Sequence, residues 1–281
     1  MDWINENLYF VRALATALLL APLCALLGVF VTARRMSFFS DTISHSALAG
    51  VALGFWFGFS EPTVPMVVFS LGVAFAILWL KETTALLTDT IMALLLSGSV
   101  ALALLIRSQM KGFRAQFDAY LFGDIQAVSD SEIALAAVLC LLIGGAVFWK
   151  LNSLTLLAAH EDLAHVAGVR VYWLNYLFVA VLTITVSLSI RLLGVMLVTA
   201  LIIIPTASAR NIARSLRQQI LLAIGLSLIS AVVGVVVTDR YDLPAGPTIV
   251  LTAIGTFTAT WICAQMGWAG GRPTPGGRKI A

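Results

Sequence analysis

The sequence predicts an all-α integral membrane protein that crosses the bilayer eight or nine times and carries one further short helix on the cytoplasmic side. Three observations predict it. Of the 281 residues, 60% are hydrophobic and only 11% charged, with a mean hydropathy of +0.99, whereas about a quarter of an ordinary soluble domain is charged. The apolar residues are gathered into runs of roughly 20, the length a helix needs to traverse the hydrocarbon core. The cations are also shared unequally between connections on alternate sides.

Cut at its polar and Pro/Gly breaks, the chain yields nine segments, and each is justified in turn. The start, MDWINENLYF, has Asp2 and Glu6 where a secretory leader would be basic, so residues 8 to 33 are read as a retained first span. The second and third cover 40 to 59 and 63 to 80. The fourth, 86 to 106, opens at Asp89, which suits a helix cap better than a ligand. The fifth is 132 to 149. The apolar stretch from 173 to 210 is too long for one crossing; Arg191 and Gly194 in VSLSIRLLGVMLV mark the turn that divides it into 173 to 190 and 192 to 210. Without that turn the protein has eight spans. The last two are 219 to 238 and 246 to 266. Residues 1 to 271 are expected to form one transmembrane domain, followed by a flexible Gly- and Pro-rich tail, 272 to 281.

Alternating the connections gives one set with Arg34, Arg35, Lys81, Lys150, Arg170, Arg210, Arg214, Arg217, Arg272, Arg278 and Lys279. The opposite set has six cations against these eleven, so the richer side is cytoplasmic and the N-terminus lies outside. A net charge of +3 argues against a nucleic-acid partner. Cys24, Cys140 and Cys263 sit singly in three apolar segments, which makes neither a disulfide framework nor a thiolate metal site.

Two stretches are more polar than their surroundings. The cytoplasmic connection LTLLAAHEDLAHVAGVRV, 154 to 171, can form a short helix with Leu156, Leu157, Leu163, Val166 and Ala167 on one face. His160, Glu161, Asp162 and His165 fall largely elsewhere, and Gly168 is a natural stop. A helix resting on the bilayer favours Lys and Arg on its polar side, so the acidic residues favour a cytoplasmic protein partner. They make a poor metal cluster, because Glu161 and Asp162 are adjacent and diverge by about 100°. The second stretch, FFSDTISHSALAG, places Asp41 and His45 at i and i+4, on one helical face. An oxygen and an imidazole nitrogen suit zinc, manganese or ferrous iron. The alternative is that Asp41 caps the second span, as Ser37 or Ser40 could, and that His45 is a hydrogen-bonded bundle residue. Two donors hold a transition metal weakly, but a two-fold homodimer with this helix near its axis would supply four.

At these residues the chain resembles a family. MSFFSDTISHSALAGVALGF is similar to the second-span signature of the metal-uptake ABC transporter permeases, Met-Ser-Leu-x-Gly-Asp-Ala-Ile-Ser-His-Ala-Val-Leu-Pro-Gly-Val-Ala-Leu. YLFGDI at 120 to 125, EDLAHVAGV at 161 to 169, GVMLVTALIIIPTASAR at 194 to 210 and DLPAGPTIVL at 242 to 251 resemble that family's motifs in the same order, so the similarity spans residues 8 to 266. It departs at Ser40, Thr42 and Ala49, where the family more often has glycine, alanine and proline; Ala49 removes an expected kink.

The resemblance implies a homodimeric or paired subunit, in a bacterial cytoplasmic membrane, of an importer that receives zinc, manganese or iron from an extracytoplasmic binding protein. A cytoplasmic ATPase would drive it by alternating access. Asp41 and His45 would carry the transported metal, with no permanently bound cofactor, and Glu161, Asp162, Leu163, Ala164 and Gly168 would belong to the ATPase-coupling segment. Pro205, which leaves the carbonyl near Leu201 without its helical donor, and Asp89 are candidates for the pathway. Asp239 and Asp242 are candidates for contact with the binding protein. Phe113, Phe117, Tyr120 and Phe122 suit either an entrance gate or an interfacial belt. The chain has no G-x-x-x-x-G-K-[ST] element, so hydrolysis would fall to the partner and the chain itself is not expected to be an enzyme. The rival readings are a secondary carrier or channel that needs no ATPase, and a scaffold whose Gly, Ala and Ser merely pack helices.

Overall fold

The computed structural model describes residues 8–109, 117, 120–121, 123, 128–159, 164, 166–168, 170–241 and 243–266. Among them are ten helices and no strand. In chain order they are α1 (Leu8–Ala33), α2 (Ser37–Trp56), α3 (Thr63–Thr83), α4 (Thr88–Gln109), α5 (Asp130–Trp149), α6 (Leu151–Ala159), α7 (Val171–Leu193), α8 (Val195–Ile212), α9 (Leu216–Tyr241) and α10 (Ala245–Gln265). Nine are long enough to span a bilayer. Eight of these nine are also apolar enough to do so unaided; α2, the polar one, is not among them. In a membrane a helix satisfies its own backbone groups, and a serine-rich helix can be carried if its neighbours cover it.

The division at Gly194 is present. Gly194 has φ 78° and ψ 163°, backbone open to glycine and strained for any residue with a Cβ, so α7 ends there and α8 leaves in a new direction. The expected alternation of sides also has structural support. Arg12 of α1 pairs with Asp130 of α5 at 3.0 Å, and Arg191 of α7 pairs with Glu132 of α5 at 2.9 Å, all at ends assigned outside. At the opposite end Arg34 donates a hydrogen bond to Asn175 Oδ1, joining the exit of α1 to the entry of α7. Exposed aromatic side chains mark both rims: Trp56, Phe57 and Tyr241 on one, Trp79, Trp149 and Trp173 on the other.

The bundle has two halves around α1 and α7, the most enclosed of the eight apolar spans. α2 lies between α3 and α4, with α7 across its back, while α8, α9 and α10 pack on one another and α8 and α9 on α1. Hydroxyls stitch the second half together: Ser230 Oγ lies 3.2 Å from Thr256 Oγ1, and Thr252 Oγ1 donates to the Ser230 carbonyl at 2.9 Å. Pro205 sits buried within α8, whose helix continues past it to Ile212.

Several boundaries differ from those read in the sequence. α2 starts at Ser37 on Met36, whose side chain makes no cap hydrogen bond, so Asp41 stands inside the helix and is not its cap. Ala49 is buried in this uninterrupted helix, as expected of a segment that lacks the kinking proline. Asp89 is likewise not the cap of α4, which starts at Thr88; it lies in the first turn, exposed, where the helix dipole favours a carboxylate. The cytoplasmic helix begins earlier than expected, directly after α5. Leu157, Ala164 and Val171 close a small apolar cluster, whereas Val166, expected on that face, is 87% exposed. Gly168 has φ 76° in a turn, the predicted stop. His160, Glu161, Asp162, Leu163, His165, Asp242, Phe113, Phe122 and the tail 272 to 281 lie outside the described residues.

Candidate functional site

The candidate site is built on α2. The chain enters it through a three-residue turn in which Arg35 adopts φ 57° and the Met36 N–H donates to the Val31 carbonyl at 3.0 Å. From Phe39 to Phe55 every side chain is buried except Asp41, His45 and Leu53. Phe38, Asp41 and His45 follow one another at spacings of three and four and therefore form a single ridge. The Asp41 and His45 side chains are 37% and 30% exposed, and His45 Nε2 lies 3.7 Å from Asp41 Oδ1. That is too long for a hydrogen bond, so the two donors are side by side with their lone pairs uncommitted to each other.

The other faces of α2 hold this ridge in place. Toward α4, Thr42 Oγ1 donates to Phe38 O at 2.9 Å and lies 3.3 Å from Met92 O, while Ser46 Oγ is 2.9 Å from Ser99 Oγ. Toward α3, a Cβ on Gly50 would lie 2.7 Å from Met66 Cα, and one on Gly54 would lie 2.7 Å from Pro62 Cβ. These contacts fix both the rotation and the height of α2, which are the two variables that aim Asp41 and His45. Among the described residues no three His, Cys, Asp or Glu side chains come together. One chain therefore offers two metal donors, and a stable transition-metal site needs more.

The structure brings together a second polar group that sequence reading missed. Arg191 Nε donates to Glu132 Oε1 at 2.9 Å, and its Nη1 lies 3.0 Å from Thr63 Oγ1 and 3.4 Å from Glu61 Oε2. Glu132 also caps its own helix, since its Oε2 accepts from the Ser129 N–H and hydroxyl at 2.9 Å each. One guanidinium thus ties the α7–α8 turn to the starts of α3 and α5. Tyr120 is close by, packed edge-on to Phe55 at 6.5 Å. Burial raises its phenol's pKa above the ordinary value, with Arg191 pulling the other way. Phe117 is buried, and the Arg107 guanidinium lies 5.6 Å from its ring centroid. Phe117 and Tyr120 therefore pack inward at the external end and are not part of a lipid-facing belt. The only signal in the sequence was a carboxylate at each of two apolar boundaries, Glu61 and Glu132.

Arg191→Met should lower the melting temperature by an amount equivalent to about 1 to 2 kcal/mol, because Glu132 is well shielded while Glu61, 74% exposed, contributes little. Thermal unfolding in detergent checks this; a change no larger than that of Arg240→Met, an exposed control, would contradict it.

Asp239 is exposed at the external end of α9, far along the chain from α2 and with no hydrogen bond or ion pair among the described residues. Pro205 is enclosed within the α1 and α8 packing, and Asp89 faces out at the cytoplasmic end. The structure does not bring these three to Asp41 and His45 within one chain.

A bundle of nine long helices, eight of them apolar enough to cross a bilayer unaided, defines a multi-pass membrane protein. The chain belongs to the ABC 3 transport family, whose model matches residues 6–264. It is 31% identical over 245 residues to the high-affinity zinc uptake system membrane protein ZnuB of Haemophilus influenzae, covering 87% of this chain and 94% of that protein. It is 30% identical over 263 residues to the manganese import system permease protein ScaB of Streptococcus gordonii, covering 93% of each. Among solved structures, PsaBC from Streptococcus pneumoniae in complex with Fab superposes with a TM-score of 0.81 at 28% identity, over 92% of this chain and 93% of that one.

Proposed function

We propose that this chain is the membrane subunit of an importer for a divalent transition metal, zinc or manganese before iron, in a bacterial cytoplasmic membrane. The observation that carries the reading is the Asp41–His45 ridge, the polar break in an otherwise covered helix. Two copies meeting along this ridge bring two carboxylates and two imidazoles to one ion. The carboxylates offset the charge of the divalent cation, and the four donors replace part of its water shell.

In this reading an ATPase partner docks on the cytoplasmic segment that includes Glu161, Asp162, Leu163, Ala164 and Gly168. ATP binding and hydrolysis there tilt α5 and α7, which the segment joins, so the paired sites open to one side at a time. An extracytoplasmic binding protein delivers the ion to the external rim, where Asp239 and Asp242 are its candidate contacts. Residues 1 to 271 act as one permease domain, with Pro205 and Asp89 the remaining pathway candidates.

The test is ion-stimulated ATPase and uptake by the complex with its ATPase, reconstituted in liposomes with zinc, manganese or ferrous iron in turn. Uptake that requires ATP and follows one of these ions supports the reading. Uptake that persists with an ATPase unable to hydrolyse ATP moves the assignment to a secondary carrier, and uptake of none of the three ions overturns it.

A further inference from the structure

We propose that the groove between the start of α7 and the junction of α5 with α6 binds an anionic phospholipid of the cytoplasmic leaflet. The groove encloses about 460 Å³ and is walled by Lys150, Ser153 and Arg170 at its mouth and by Trp173, Leu174 and Leu177 below. Among the described residues no carboxylate lines it, and neither the Lys150 nor the Arg170 side chain has an ion pair or hydrogen bond there. The Lys150 ammonium lies 4.9 Å from the Trp149 ring centroid, which holds the side chain at the rim and leaves its N–H donors for an incoming oxygen. Two uncompensated cations and a hydroxyl are the donor set that a phosphodiester requires.

The lower wall identifies the rest of the ligand. From Arg170 to Leu177 α7 descends about 10 Å into the layer that its own hydropathy assigns to hydrocarbon. Leu177 is 55% and Trp173 69% exposed along this line, so an apolar strip runs straight down from the two charges. A headgroup at the mouth and an acyl chain against Leu174 and Leu177 satisfy both parts at once. An acidic loop of a soluble partner would satisfy only the charges. Gly168, the left-handed residue that ends the cytoplasmic segment, also lines the groove, so an occupant would touch that segment directly. The inference depends on the placement of α5 and α7 in the bilayer and stands whether or not the metal reading does.

The full chain, purified with its ATPase partner, is titrated with phosphatidylglycerol in mixed micelles and then in phosphatidylcholine vesicles, with bound lipid counted by native mass spectrometry. Lys150→Gln and Arg170→Gln should each weaken phosphatidylglycerol binding about fivefold, and the double variant roughly 25-fold. Lys150→Arg should retain it, and inorganic phosphate should not compete. Equal binding by the double variant and the parent overturns the site, as does competition by inorganic phosphate alone. Loss of the ATPase from the double variant with phosphatidylglycerol still held at the parent's affinity also overturns it, because the cations would then serve protein docking. The single variants keep the test decisive if the double variant does not assemble.

Discussion

Replacing Asp41 with asparagine or His45 with alanine is expected to reduce metal uptake at least about 100-fold while leaving the folded protein intact. The size follows from the two-fold arrangement. In the dimer His45→Ala removes two of four donors at once and Asp41→Asn turns two anionic carboxylates into weakly ligating neutral amides, and even residues that only orient metal ligands are worth about 10- to 100-fold in affinity. The tolerance follows from the structure: both side chains project from the ridge, a third or so exposed, and neither fills a place in the core. Their removal should therefore shift the melting temperature no more than an ordinary surface change, about 0.5 kcal/mol. Uptake in reconstituted vesicles and thermal unfolding of the same preparations separate the two effects. Variants that melt like the parent and transport like the parent would remove the basis for the site.

Gly28→Leu should have the opposite character, abolishing accumulation of folded protein. A Cβ at Gly28 would stand 2.0 Å from the Ile202 carbonyl oxygen and 2.7 Å from Thr206 Oγ1, so α1 and α8 touch backbone to backbone there. The contact lies where α8 contains Pro205 and where Thr206 Oγ1 donates to the same Ile202 carbonyl at 2.8 Å, so no flexible side chain can move aside. Even one methyl would force the helices apart, and overpacking of this kind costs about 3 kcal/mol or more in a close-packed interior. Gly144→Leu is the control, since nothing lies within 4 Å of its Cβ position and the residue is only half-buried. Detergent extraction and size-exclusion profiles of the two variants decide the matter: equal monodisperse yields would contradict the close approach.

The two glycines also illustrate where sequence reading runs out. Gly28 and Gly144 stand in equally apolar runs and look alike by composition. Only the crossing of α1 with α8 distinguishes them, and a crossing depends on residues some 170 positions apart. Gly194 was legible because a local rule applied: an apolar stretch too long for one crossing must turn, and glycine with a nearby arginine was the place. The Asp41–His45 pair was legible for the same reason, since spacing of four on any helix gives a shared face. The reading of Asp41 as a cap failed because the helix extends back to Ser37, and Met36 supplies no side-chain bond to mark its start. Val166 was assigned to the wrong face because it lies beyond the end of α6 at Ala159, in the last helical position before the turn at Ala167 and Gly168, so the register of Leu156 and Leu157 does not carry over to it. The Arg191 group was missed because Glu61, Glu132 and Arg191 share no local pattern; they meet only when three helix ends converge.

The sequence by itself left the number of crossings between eight and nine, but it determined the class, the order of the apolar segments and which helix carries the polar pair. Each of these follows from the cost of placing peptide and charge in hydrocarbon, a cost incurred residue by residue along a single segment. The tertiary structure alone decided which way that pair faces, which glycines admit no side chain, and that a single guanidinium binds three external ends together. Those depend on the rotation and crossing of helices against one another, which close packing between distant segments sets and no single segment encodes.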